Sequence, residues 1–173
     1  MIKIILGIIV VLVVVVAGFV LYGNNFMGAP AAPQVNNNNQ ISSDNSGQGT
    51  ALDLSSQGLN KIPEQVFSKT SLEVLDVSHN NLTGAIQSQI GQLINLKVLN
   101  ASDNKMTGVP AEIGQLQKLE VLDLSNNQLT GLPNELGNLQ NLKVLNLSGN
   151  QYSQQDLDYI KSKLPATTQI ITD

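Results

Sequence analysis

The chain has 173 residues, a formal net charge of −4, 13 acidic residues against nine Lys and no Arg, no cysteine, and only 3% aromatic side chains. An acidic chain without Arg lacks the bidentate donors that grip phosphates and base edges, so nucleic acid is excluded as a partner. The absence of cysteine excludes a disulfide framework and thiol chemistry, and no cofactor motif is present.

The first element is apolar. Residues 4–22 contain no charged side chain, and the 21 residues from Ile2 to Tyr22 span about 31 Å as a helix, the thickness of a bilayer core. Residues 1–22 are therefore expected to form a transmembrane signal-anchor helix. A cleaved signal peptide is the competing reading, with Lys3 as its basic start and Ala29-Pro30-Ala31 as a cleavage site. The apolar run is longer than a usual signal core, and the small-residue site lies well past its end. Lys3 precedes the span and the next Lys is Lys61, which places the N-terminus in the cytoplasm and everything downstream outside it. The expected localisation is the cell membrane, single-pass, with the remainder extracytoplasmic.

Residues 23–48 are rich in Asn, Gln, Ser, Gly, Ala and Pro and include Asn36-Asn37-Asn38-Asn39. Such a segment has too little apolar surface to form a core. It is expected to act as a flexible tether.

From Gly49 onward one pattern recurs. Position one of successive units falls at Gly49, Leu72, Leu96, Leu119 and Leu142, giving units 49–71, 72–95, 96–118, 119–141 and 142–164. Position four is Leu52, Leu75, Leu99, Leu122 and Leu145; position six is Leu54, Val77, Ala101, Leu124 and Leu147. Period-two alternation puts both columns on one side of a strand, facing inward. Position nine holds Gln57 and then Asn80, Asn104, Asn127 and Asn150. An amide that both donates and accepts suits the place where the chain leaves the strand, and the four asparagines are expected to stack as a ladder. The return segments carry Ile62, Ile86, Val109 and Leu132, then Val66, Ile90, Ile113 and Leu136. Pro63, Pro110 and Pro133 precede Glu64, Glu112 and Glu135, a combination that starts short helical turns.

These columns fill Leu-x-x-Leu-x-Leu-x-x-Asn-x-Leu, so residues 49–164 resemble the leucine-rich repeat family. The resemblance implies an α/β solenoid: a short horseshoe with a parallel concave sheet of five or six strands and short convex helical turns. No unit buries its apolar side alone, so the core exists only by stacking. Unit two has one extra residue at Leu82-Thr83-Gly84-Ala85-Ile86-Gln87, which resembles the family's longer Leu-Thr-Gly-x-Ile-Pro variant without its Pro. Family members on animal and plant surfaces usually carry cysteine caps; their lack here points to a prokaryotic source.

The last unit ends in a capping helix, with Leu157, Tyr159, Ile160 and Leu164 at helical spacing, an acidic start at Asp156 and a basic end. Pro165 stops it, and residues 165–173 contain a β-prone run, Gln169-Ile170-Ile171, suited to a sixth strand. No comparable cap is visible at the N-terminal side.

The outward strand columns supply the candidate site. Position five holds Asp53, Asp76, Asn100, Asp123 and Asn146; position seven holds Ser55, Ser78, Ser102, Ser125 and Ser148; position eight includes His79, Asp103 and Asn126. Position two alternates Glu73, Lys97, Glu120 and Lys143, which predicts ion pairs between adjacent strands. Asp76, Ser78, His79, Ser102 and Asp103 are placed to cluster, which invites a Ser-His-Asp reading, but an open strand surface offers no enclosed pocket or oxyanion donors. A metal held by His79, Asp76 and Asp103 is a weak constellation. The sequence thus points to a non-enzymatic module that binds a protein or peptide on its concave face, weakly and through avidity. The alternative is a structural envelope component that self-associates through solenoid ends. Asn81-Leu82-Thr83, Asn100-Ala101-Ser102 and Asn146-Leu147-Ser148 also match the N-glycosylation pattern, as a by-product of the repeat.

Overall fold

The computed structural model describes residues 50–173. The expectations placed on residues 1–49, namely the anchor, its orientation and the tether, lie outside the described residues. Among the described residues no helix is long and apolar enough to cross a membrane.

Each repeat contributes one strand: β1 (Thr50–Asp53), β2 (Leu72–Asp76), β4 (Val98–Asn100), β6 (Val121–Asp123) and β7 (Val144–Asn146). Two further strands, β3 (Thr83–Ala85) and β5 (Lys105–Gly108), lie just beyond β2 and β4, and β8 (Gln169–Ile171) follows the helix α1 (Gln154–Lys163). The main sheet is parallel in the order β1-β2-β4-β6-β7-β8. Its register keeps the repeat positions level: Leu75 faces Leu99, Leu99 faces Leu122, Leu122 faces Leu145, and Leu145 faces Ile170. The sixth strand forms as the sequence predicts.

The return segments are 3-10 helices at Glu64–Val66, Ser88–Gln92, Ala111–Gln115 and Asn134–Asn138. Pro63, Pro110 and Pro133 sit at their N-caps, one residue before the first helical turn in which they were expected. Their fixed φ is compatible with the extended conformation there. The inward columns form one core, with Leu75, Leu99, Leu122 and Leu145 at 0% exposure alongside Ile90, Ile113 and Leu136. Burial of each such side chain contributes roughly 1.5–3 kcal/mol, which a single unit cannot collect without neighbours.

Three features were not anticipated. First, the extra residue of unit two lets Thr83–Ala85 run extended and pair in parallel with Lys105–Gly108, creating a second, two-stranded sheet. Second, Gly91, Gly114 and Gly137 form a column in the 3-10 segments where a Cβ would collide with the next repeat. At Gly114 it would lie 2.5 Å from the Glu135 carbonyl oxygen, and at Gly137 2.7 Å from Lys163 Cβ. Third, Tyr159 does not join the apolar stripe of α1. It is 47% exposed, while Leu157, Ile160 and Leu164 are buried. The Lys163 ammonium instead lies 5.6 Å from its ring centre, a cation–π contact.

Candidate functional site: the outward strand face and its rim

The asparagine ladder lies directly beneath the site. Asn104 Oδ1 accepts the Leu82 N–H at 3.0 Å, while its Nδ2 donates to the carbonyls of Val77, Ala101 and Ser102 at 3.0, 3.2 and 3.0 Å. Asn127 does the same with Met106 N–H and the carbonyls of Ala101, Leu124 and Ser125. Asn80 accepts from both Gln57 and Leu59 N–H, and Asn150 accepts from Leu129 N–H. Each amide therefore ties one repeat to the preceding one and satisfies backbone groups that the turn would otherwise strand.

Positions five and seven differ from the expectation of a freely exposed surface. Ser78, Ser102 and Ser125 are buried, as is Asp76, whereas Asn100, Asp123, Asn146, Ser55 and Ser148 are half-buried and Asp53 is exposed. The reason is local. Asp76 Oδ1 accepts both the Ser78 N–H (2.9 Å) and the Ser78 hydroxyl (2.6 Å), an Asx turn closed by the serine side chain. The pattern recurs from Asn100 to Ser102, Asp123 to Ser125 and Asn146 to Ser148. Neighbouring strands add amide-to-carboxylate bonds: Asn100 Nδ2 to Asp76 Oδ2 and Asn146 Nδ2 to Asp123 Oδ2, both 3.0 Å. These side chains form a hydrogen-bonded floor. The Ser78 hydroxyl is committed to Asp76, so it lacks the serine–imidazole contact that nucleophilic catalysis needs. The asparagines of the second and third glycosylation patterns, Asn100 and Asn146, are held in the same floor.

Position eight carries the exposed chemistry. Ser56, His79, Asp103 and Asn126 have φ of 57°, 54°, 54° and 53°, and Gly149 completes the column at 70°. The left-handed turn is uncommon for residues other than Gly, Asn and Asp, and the stack enforces it. The N–H groups of His79, Asp103 and Asn126 donate to the carbonyls of Ser102, Ser125 and Ser148 in the next repeat. Their side chains stand in a row: Asn126 Nδ2 donates to Asp103 Oδ1 at 3.0 Å, and Asp103 Oδ2 lies 3.6 Å from His79 Nδ1. His79 and Asn126 are exposed and Asp103 is half-buried.

On the other side of the face, position two forms the predicted ion pairs, Lys97–Glu73 at 3.0 Å and Lys143–Glu120 at 2.7 Å. Exposed pairs of this kind fix register more than they stabilise. Two depressions among the described residues lie elsewhere. One of about 430 Å³ sits at the C-terminal end, and one of about 220 Å³ lies between the last two 3-10 segments. Among the described residues no group of three or more His, Asp or Glu side chains is placed to hold a metal. The site is an open, polar strip above a hydrogen-bonded floor.

A family model described as a leucine-rich repeat region matches residues 59–162, more than half of the chain. No curated protein matches it. Among solved structures, a leucine-rich repeat protein of Leptospira interrogans is 39% identical at a TM-score of 0.60, over 64% of this chain and 28% of that one. The ectodomain of the Arabidopsis thaliana membrane receptor kinase GASSHO1/SCHENGEN3, in complex with CASPARIAN STRIP INTEGRITY FACTOR 2, is 32% identical at a TM-score of 0.54, over 65% of this chain and 14% of that one. Internalin C2 of Listeria monocytogenes is 25% identical at a TM-score of 0.59, over 71% and 51%. The chain thus spans about half, or less, of the length of these structures. With its repeat period, its asparagine ladder and its parallel sheet matched in this way, the chain belongs to the leucine-rich repeat family.

Proposed function

We propose that the protein is a membrane-anchored, extracytoplasmic leucine-rich repeat module that binds a protein or peptide ligand on its strand face, weakly as a single copy and usefully through avidity. The observation that carries this reading is the rim of exposed His79 and Asn126 with half-buried Asp103 between them, held in one row by left-handed backbone and by the repeats beneath. A rigid polar row above a hydrogen-bonded floor suits recognition of an extended chain, because little side-chain entropy is lost on binding. The plant receptor ectodomain crystallised with its factor supports a ligand of this kind.

Weakness follows from size and composition. Six strands at about 4.8 Å spacing and three to five residues of length offer roughly 250–400 Å², about half or less of one side of a standard interface. Trp and Arg, the usual anchors of tight interfaces, are absent from the chain. Tethering many copies to one surface by residues 1–48 supplies the missing affinity through effective concentration.

The test is a displayed peptide library panned against the full chain in lipid nanodiscs. Selected peptides are expected to bind single copies with a Kd of about 10 µM or weaker and multivalent arrays about a hundredfold more tightly. Replacing His79, Asp103 and Asn126 together by Ala should abolish both. A nanomolar one-to-one complex refutes the weak-binding reading, and binding that survives the triple substitution refutes the site. Carbonate-resistant membrane fractionation with mass measurement of the N-terminus tests the anchor separately.

A further inference from the structure

We infer that the partner of the strand face is an extended protein segment carrying Lys or Arg side chains. This rests on the strand face being the binding site and adds the chemistry of what binds there.

Charge is unevenly spread over the described residues. The strand face and its two rims carry Asp53, Glu73, Asp76, Asp103, Glu120 and Asp123 against Lys97 and Lys143, a formal −4. Asp173, whose Oδ1 accepts the Gly149 N–H at 2.7 Å, adds a seventh carboxylate beside position eight. The rest of residues 50–173 holds five acids and six lysines, close to neutral. Both lysines of the face are already paired, Lys97 with Glu73 and Lys143 with Glu120. Lys105, two residues beyond Asp103, is turned to Asn81 Oδ1 at 2.8 Å. The aspartates are therefore left without a lysine partner among the described residues, and their combined field attracts a cationic segment and repels an acidic one.

Two of these aspartates are set for direct contact. The oxygens of Asp76 and Asp123 are all engaged, one by a serine N–H and hydroxyl and the other by a neighbouring asparagine Nδ2. Asp53 is exposed, and only its Oδ1 has a recorded partner among the described residues, the Ser55 N–H. Asp103 gives Oδ1 to Asn126, while its Oδ2 lies 3.6 Å from His79 Nδ1, beyond hydrogen-bond range. Each offers one oxygen to an ammonium or guanidinium group, whose bonds to carboxylates are stronger than those of neutral donors. Asp53 and Asp103 belong to the first and third repeats, two strand spacings or about 10 Å apart across the sheet. Basic side chains three or four positions apart on an extended segment span that separation, at about 3.3 Å per residue.

The experiment pans the full chain, in non-ionic detergent at low salt, with a displayed library of random peptides about ten residues long, enough to cross the sheet. Selected peptides are expected to be enriched in Lys and Arg. Followed by fluorescence anisotropy, synthetic copies should bind about fivefold or more weakly once high salt screens the exposed charges. Asp53→Asn and Asp103→Asn should each weaken binding by about 1.5- to fivefold, as loss of an exposed pair does. Asn also suits the φ of 54° at position 103. Glu112→Gln with Glu135→Gln removes two charges from the 3-10 segments and should leave binding unchanged, with circular dichroism showing that every variant is folded. Neutral or acidic peptides whose binding is lost with the His79, Asp103 and Asn126 row overturn the basic partner and leave the strand face as the site. Basic peptides that bind both Asp→Asn variants as well as the parent, or that are weakened equally by the 3-10 control, overturn it as well. A library that yields no binder overturns both readings.

Discussion

Replacing Asn104 by Ala removes one rung from the middle of the ladder, and the structure sets the cost. The side chain is buried, with 7% exposure. The three carbonyls it serves each keep a second donor: Val77 from Asn80 Nδ2, Ala101 from Asn127 Nδ2, and Ser102 from the His79 N–H. The Leu82 N–H has no other recorded partner among the described residues, and Leu82 is itself buried. A stranded buried donor costs about 1–3 kcal/mol, and the weakened carbonyl bonds add to it, so the total is about 2–4 kcal/mol. That is a large share of a typical stability of about 5–15 kcal/mol. Urea unfolding followed by far-UV circular dichroism should show a midpoint lowered by about 1–2 M, given slopes of about 1–3 kcal/mol/M. Asn81→Ala is the control, because Asn81 is half-buried and accepts one exposed bond from Lys105 Nζ; its shift should be within about 0.5 kcal/mol. Asn104→Asp sharpens the test. It keeps an acceptor for Leu82 but turns a second oxygen toward three carbonyls, which raises the carboxyl pKa in the folded state above its unfolded value. The penalty is therefore full at neutral pH and shrinks, relative to the parent, as pH falls through the folded pKa. Equal shifts for Asn104→Ala and Asn81→Ala would falsify the view that the ladder holds the repeats together.

Three further outcomes are expected. Gly114→Ala forces a Cβ against the Glu135 carbonyl and should cost about 1–3 kcal/mol by overpacking, whereas Gly131→Ala, whose Cβ meets nothing closer than Asp156 Oδ2 at 3.6 Å, should be neutral or slightly stabilising in a thermal melt. Ile94→Gln should stabilise by about 0.5–1 kcal/mol in the same assay. Ile94 is 58% exposed in the column where Gln117 Nε2 bridges the Gly114 and Asn138 carbonyls and Gln140 Nε2 bridges those of Gly137 and Lys163. The Tyr152 phenol is held above its ordinary pKa by burial and then by the Asp173 charge. Asp173→Asn should lower the midpoint of its phenolate absorbance titration. Because the folded pKa is raised, the phenol's contribution to stability is complete below the unfolded pKa and is lost as pH rises through the folded one, which an alkaline unfolding series will show.

Much of the molecule was legible in the residues alone. Leu75, Leu99, Leu122 and Leu145 face inward because alternation and period leave no other choice, and the Glu73–Lys97 and Glu120–Lys143 pairs follow once the strands are level. The capping helix and sixth strand were also readable, since Pro165 and the Ile170-Ile171 run bear on local conformation. Tyr159 misled because helical spacing locates a face without saying how wide the buried stripe is.

The sequence by itself therefore determined the solenoid, its inward columns and its ladder, all of which depend on intervals along the chain. Only the tertiary structure decided which outward residues are available to a ligand. Ser78, Ser102 and Ser125 look exposed by alternation, yet Asx turns and the repeats on either side bury them. His79, Asp103 and Asn126 emerge as the accessible row because the left-handed turn at position eight swings them out of the floor. The glycine column and the second sheet belong to the same class. They record how closely neighbouring repeats approach, a distance that exists only after stacking and that no interval along one chain encodes.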